Sequence, residues 1–325
     1  MLELKDQKAV LVKFQSLLAL LLMVTVFSIC TDGFFTKDNF WLVLTQVSVN
    51  TCLSVGMTLV ILTGGIDLSV GSVLALSGAI MAGMLKNGLE VPVLNLFVGF
   101  TVLGAVLAGL IVGSFLGFFN GLMITRVKIP PFVATLAMLT IARGLTQLWT
   151  GGAAITGLGK TFGYVGTGWF LGVPVRVWTC AAIVGMAVVV LKKTRFGRYI
   201  YAVGGNERAA KLSGLNVNRI KLLVYTIAGA LSAVGGLILT SKIDSATPTA
   251  GGGYELDSIA AVVIGGTSLS GGKGSVFGTV LGALIIGVLN SGLIILQVPP
   301  FWQQVIKGFV ILLAVAIDKL SARGQ

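Results

Sequence analysis

The sequence predicts an all-α integral membrane protein, a polytopic bundle of about ten transmembrane helices with both termini in the cytoplasm. Three observations carry this. Hydrophobic residues make up 55% of the 325-residue chain and charged residues only 10%, whereas soluble domains are about 25% charged. Apolar runs of spanning length recur from one end to the other. Lys and Arg concentrate in alternate connections, as the positive-inside rule requires. A mean hydropathy of +0.99 excludes disorder. The 45 glycines show no Gly-X-Y period, which excludes collagen. In membrane helices small residues let backbones approach closely.

The first span is read at 14–30. Lys5, Lys8 and Lys13 before an apolar run imitate a signal peptide. Phe27-Ser28-Ile29 is too bulky for a cleavage site, so the run is read as retained. Ile29 also argues against lipidation of Cys30. The remaining spans are read at 41–63, 69–85, 94–124, 131–150, 176–191, 222–240, 256–269, 276–295 and 301–317. The fourth is too long for one straight crossing, and Gly113, Gly117 and Gly121 are expected to bend or break it. The third and eighth are short for a full crossing. With the N-terminus inside, sixteen basic residues fall in cytoplasmic segments and five in outer ones. Eight or twelve spans would leave the termini on the same side. Arg143 and Lys307 fall within spans and are read as snorkelling.

No soluble domain remains, and 1–325 reads as one transmembrane domain. A net charge of +12 would suggest nucleic acid in a soluble protein. Here it reflects cytoplasmic loops and membrane lipid, with no nucleic-acid partner expected. Cys30, Cys52 and Cys180 are isolated and His is absent, which argues against disulfide frameworks and zinc. No Ser/His/Asp set and no paired metal carboxylates appear, so no catalytic, cofactor or metal site is expected on this chain.

Three motifs stand out. The segment 192–221 is basic, and within it Gly205-Asn206-Glu207-Arg208-Ala209-Ala210-Lys211-Leu212-Ser213-Gly214 reads as a two-turn helix. Asn206 suits its N-cap, Glu207 its positive end and Gly214 its C-terminal turn. So short a helix needs something to dock against. The small Ala209 and Ala210 would permit close approach by a partner, although an ordinary interfacial loop helix would look the same. The second motif is Gly64-Gly65-Ile66-Asp67-Leu68-Ser69. A carboxylate at membrane depth is costly and usually functional, but Asp67 or Ser69 would equally serve to cap the following helix. The third is Gly265-Gly266-Thr267-Ser268-Leu269-Ser270, running on to Lys273. It fails the phosphate-loop pattern, because Thr267 and Gly274 stand where Gly and Ser or Thr are required. The last two motifs resemble each other, and glycine-interrupted segments in two halves point toward a translocation path. An inverted repeat would require opposite orientations, whereas the span count gives both the same. Thr45, Gln46, Ser48, Asn50 and Thr51 form a polar cluster in the second span, read as either bundle hydrogen bonding or a solute path. Tyr254-Glu255-Leu256-Asp257 reads as an acidic start to a span.

The runs Val60–Ser72, Gly197–Lys221 and Pro248–Gly274 resemble the sugar permeases of bacterial ATP-binding-cassette importers, the group serving ribose, xylose, arabinose, galactose and allose. The resemblance extends over nearly the whole chain. It implies the permease fold of those importers and a homodimer in the inner membrane. It also implies an ATPase partner that uses ATP and Mg, and a periplasmic protein that delivers the sugar, ribose foremost. It places the coupling contact at Gly205, Asn206, Glu207, Ala209, Ala210, Ser213 and Gly214. The path candidates are Asn50, Gly64, Gly65, Asp67, Ser69, Gly265, Gly266, Thr267 and Ser268, with a small-residue path expected rather than a dedicated pocket. An ion-coupled carrier is the rival reading, and it would rest on Asp67 alone. A passive channel would need neither ATP nor a binding protein.

Overall fold

Side-chain caps start several of the helices, and glycine ends several, at Gly88, Gly151, Gly168 and Gly265. A computed structural model describes residues 2–31, 33–91 and 96–323, with side chains at 15–31, 33–89, 97–313 and 315–316. The helices are α1 (Leu2–Cys30), α2 (Lys37–Leu62), α3 (Val70–Asn87), α4 (Val102–Leu122), α5 (Pro131–Thr150), α6 (Lys160–Thr167) and α7 (Val175–Lys193). They continue as α8 (Arg195–Gly205), α9 (Glu207–Leu212), α10 (Val217–Ile243), α11 (Tyr254–Ile264), α12 (Val276–Ile295) and α13 (Pro300–Arg323). Side-chain oxygens of Thr36, Thr101, Thr194, Asn206, Asn216 and Ser275 each accept an N–H in the first turn that follows. Each such cap is worth about 1 kcal/mol.

Among the described residues, seven helices are long and apolar enough to cross a membrane: α2, α3, α4 with its extension to Val127, α5, α7, α10 and α12. α1 and α13 carry shorter apolar stretches, Gln15–Cys30 and Pro300–Leu313. α2 lies at the centre, almost wholly buried, among α7, α10, α11 and α12. α10 packs on α2, α3 and α4.

Two expected spans differ. The fourth does not begin at 94, because Leu96–Val98 (β2) forms a strand paired with Leu89–Val91 (β1). Nor do its glycines break it. α4 runs continuously through Gly113 and Gly117, which serve packing instead. A β-carbon at Gly117 would strike Tyr225 O and lie 3.0 Å from Gly229 Cα. The helix changes only beyond Leu122, in a π-helical turn at Met123–Val127. The eighth span, read as 256–269, is the short α11, which ends at Ile264. Its eleven residues cover about 16 Å, half of a hydrocarbon core of about 30 Å.

The two ends of the bundle differ. One, the basic end, gathers Arg126, Lys128 and the segment 192–221. The far end carries β1 and β2, α6, and two further two-stranded ribbons. These ribbons pair Ile155–Thr156 (β3) with Ser245–Ala246 (β6), and Trp169–Phe170 (β4) with Val173–Pro174 (β5). Between β6 and α11 the chain is irregular. Ser258 Oγ donates to Asn50 Oδ1 at 3.1 Å, halfway along α2, so α11 begins near mid-bundle. Segment 247–253 therefore descends from the far end as non-helical backbone. Such backbone at membrane depth requires protein partners or a water-filled cavity. Arg143 provides partners, since its Nη1 donates to Pro248 O at 2.8 Å and to Ala250 O at 2.7 Å.

Candidate functional site

The three motifs converge at the basic end. α2 and α11 both run toward it and end in the same way. Gly64 N–H donates to Ile61 O (2.9 Å) and Gly65 N–H to Val60 O (3.1 Å). Gly266 N–H donates to Val263 O (2.8 Å) and Thr267 N–H to Val262 O (3.1 Å). This paired bonding is the Schellman motif, which needs a left-handed residue just past the helix. Gly64 and Gly266 supply it with φ of 78° and 83°. α9 ends likewise at Gly214, φ 82°. The likeness of the two glycine motifs is thus the likeness of two helix ends on the same face. Their structural register pairs Gly64 with Gly266, one residue away from the Gly64–Gly265 alignment of the sequences.

The loops touch each other and the basic segment. Gly272 N–H donates to Leu62 O at 3.0 Å. A β-carbon at Gly204, in α8, would collide with Leu62 O, so only glycine lets α8 lie on the end of α2. Tyr201 Oη donates to Gly274 O at 2.9 Å. Burial raises the phenol above its ordinary pKa, which keeps it a donor. α8 is thereby fastened to both loops.

Asp67 is buried and spoken for locally. Its Oδ1 accepts from Ser69 N (2.8 Å) and Ser69 Oγ (2.6 Å), and Asn120 Nδ2 donates to Ser69 Oγ (3.0 Å). Ser69 precedes α3 but makes no side-chain cap bond itself, so the turn is closed by Asp67. Asn120, in α4, completes this network and was not legible as a partner. Gly65 packs under the Tyr225 hydroxyl, which has no hydrogen-bond partner among the described residues. Thr267 Oγ1 is likewise buried and unpaired among them, while Ser268 Oγ accepts from Ser270 N at 3.3 Å.

α9 stands at the surface. Asn206 Oδ1 accepts from Ala209 N (3.0 Å), and Glu207 pairs with Lys221 at 2.7 Å. Ala210 turns inward into the core shared by α2, α8 and α10, so of the two alanines only Ala209 is free for a partner. Leu212, absent from the sequence-derived candidates, is 90% exposed at the end of α9. The signal was partial, because Leu212 and Leu215 are both apolar in this basic segment and the fold packs Leu215 against the core while leaving Leu212 exposed.

A second feature lies in the far half. A cavity of about 310 Å³ opens among α2, α10, α11, α12 and α13. Gln46, Asn50, Asn290 and Gln303 line it, with Lys242 and Tyr254. Asp257 and Lys307, also in its wall, form an ion pair at 3.4 Å. Neither Arg143 nor Lys307 snorkels, since each is held inside the bundle. Tyr254–Asp257 begins a helix at mid-bundle rather than at the outer surface. Of the polar cluster in α2, Thr45 and Ser48 bond back to their own helix, to Leu42 O and Leu44 O (2.8 and 2.7 Å), while Gln46 and Asn50 face the cavity. Asn50 is thus far from the other path candidates, which all sit at the basic end.

Residues 39–315 match the family described as branched-chain amino acid transport system / permease component. The chain belongs to this permease family. The permease is 51% identical to the ribose import permease of Bacillus subtilis over 312 residues, 95% of this chain and 94% of that protein. It is 48% identical to the ribose import permease of Escherichia coli K12 over 315 residues, 96% and 95% of the two chains. The D-allose transport system permease of the same bacterium is 35% identical over 312 residues, 96% and 93% of the chains. No solved structure matches the permease. Its relatives are transport subunits, and the permease is not an enzyme.

Proposed function

We propose that this chain is the membrane-spanning subunit of an ATP-driven importer that moves D-ribose into the cytoplasm. The observation that carries the proposal is the identity of 48–51% to ribose import permeases along essentially their full length. The basic end supports it independently, because a short exposed helix is fastened by α8 to the ends of both α2 and α11. In this reading the basic end faces the cytoplasm, as the charge bias favours. The chain crosses the inner membrane ten times. Segment 247–264 makes one crossing, half irregular and half helix, and α1 and α13 supply two more. An ATPase subunit that binds ATP and Mg docks on α9, and its closure pushes α8 against the glycine loops. A periplasmic binding protein delivers the sugar to the far end, and a second copy completes a homodimer.

Gentle solubilisation of a C-terminally tagged chain from native membranes, followed by mass spectrometry, tests the partnership. A stoichiometric phosphate-loop ATPase is the expected companion. A chain that purifies alone in several mild detergents and still carries ribose into liposomes without ATP is a carrier or a channel.

A further inference from the structure

The far half holds more positive charge than it pairs. Lys242, in the last turn of α10, lines the cavity of about 310 Å³. It makes no hydrogen bond or ion pair among the described residues. α6 covers that turn, with Gly166 against Lys242 N, which fixes the root of the side chain. Arg176, in the first turn of α7, acts on Lys242 as a like charge. Arg176 Nε and Nη1 are enclosed without a partner among the described residues, so Nη2 is the open end of the guanidinium.

The neighbouring carboxylates do not answer these charges. Asp244 Oδ1 accepts from Leu158 N at 2.9 Å, and Glu255 acts on Arg143. Asp257 pairs with Lys307 at 3.4 Å. Lys242, Lys307 and Arg176 thus share the single carboxylate of Asp257. Cations inside a membrane bundle almost always pair, because an unanswered charge is costly there.

The rest of the wall supplies hydrogen-bond donors. Gln46 and Asn50 are amides and Tyr254 a phenol. Asn50 Oδ1 is already taken by Ser258 Oγ at 3.1 Å, which leaves Nδ2 for a ligand. A cation with several N–H and O–H donors suits a phosphate oxygen, whereas a neutral sugar would leave the charge unanswered. Gln303, also in the wall, follows Trp302, which is 63% exposed. Exposed tryptophan in a membrane protein marks headgroup level, so this wall meets lipid phosphates as well as free ones.

We infer that the cavity binds a phosphate-class oxyanion, held by Lys242 with Arg176 behind it, either the headgroup of a phospholipid or free phosphate. The anion is the missing counter-charge that joins the end of α10 to α2 and α11. The inference goes beyond the importer reading and does not depend on it.

The test is thermal melting of the purified chain in a phosphate-free maltoside. Inorganic phosphate at constant ionic strength and a short-chain phosphatidylglycerol are added separately. At least one should raise the melting temperature by about three degrees or more. A rise with phosphate alone identifies the free ion, a rise with the lipid alone the headgroup, and a rise with both a site open to either. Lys242→Gln should lose most of the rise and Arg176→Gln about half, while Lys37→Gln, at the exposed start of α2, keeps it. Without either probe, Lys242→Gln should melt no lower than the parent, because it removes an unpaired charge. Saturable binding of about one labelled phosphate or lipid per parent chain is the readout that needs no variant. No rise with either probe and no saturable binding overturns the inference. So does a rise of equal size in the parent and Lys242→Gln, which marks a general salt or lipid effect. So does stabilisation by the binding protein alone, which would make the two cations a docking contact.

Discussion

The basic end and the far half solve different problems with different residues. At the basic end contact is made by backbone: Gly204 against Leu62 O, Gly272 N–H on Leu62 O, Gly271 beside Gly64 N. Such contacts leave no slack, so a displacement of α8 is passed directly to the ends of α2 and α11. In the far half side chains carry more of the contact, although glycine admits backbone there too, as Gly166 does for Lys242. Amides, an ion pair and an arginine span gaps that backbone does not fill. Glycine contacts set backbone on backbone, whereas polar side chains surround a space.

Breaking the backbone contact should have the largest effect. Gly204→Val places carbon on Leu62 O and Gly272 N. Overpacking usually costs about 1–3 kcal/mol, and neither backbone here can yield cheaply. The expected outcome is a clear fall in thermal stability in detergent and loss of ATP-dependent uptake. Arg143→Met tests the far half in the same terms. It leaves two mid-bundle carbonyls, Pro248 O and Ala250 O, without their donor. At about 1.5–3 kcal/mol for a hydrogen bond to a charged group, the melting temperature should drop by several degrees. Arg143→Lys should restore part, because both bonds come from the one nitrogen Nη1, which a lysine ammonium can replace only if its shorter stem reaches the same point.

The comparison also shows what a linear sequence reveals. α5 and α12 begin and end at the expected residues, because Pro131, Gly151 and Ser275 punctuate them. The start of α4 was missed because Leu96-Phe97-Val98 is as apolar as a helix, and hydropathy does not separate a short strand from one. α11 was drawn too long because the span was carried on to Leu269, past the glycine pair at Gly265-Gly266 where the helix ends. The short helix at Asn206–Gly214 was legible down to its caps, since capping is local. The cavity was only half legible: Gln46 and Asn50 stood out within one span, but Asn290 and Gln303 join them only through the packing of α12 and α13. Arg143 looked like a snorkelling residue because its partners lie more than a hundred positions away.

Two gentler substitutions sharpen the contrast. Leu212→Asp alters a side chain that is 90% exposed, so the melting temperature of the isolated chain should stay within about a degree. Co-purification of the ATPase should fall at least tenfold, since an exposed apolar anchor at a docking helix carries a disproportionate share of binding. Asp67→Asn should be the mildest. It weakens the bonds to Ser69 N and Ser69 Oγ and costs about 1 kcal/mol, the scale of a lost cap. Ribose uptake should persist and should not respond to collapse of the proton gradient. A proton-coupled carrier would lose its coupling.

The most direct measurement is ribose uptake into liposomes reconstituted with this chain, its ATPase and its binding protein, each omitted in turn. Uptake that requires all three and ATP, and that Leu212→Asp abolishes without unfolding the chain, is the expected result. Ribose accumulation by the chain alone, with or without an ion gradient, would contradict the account at its centre.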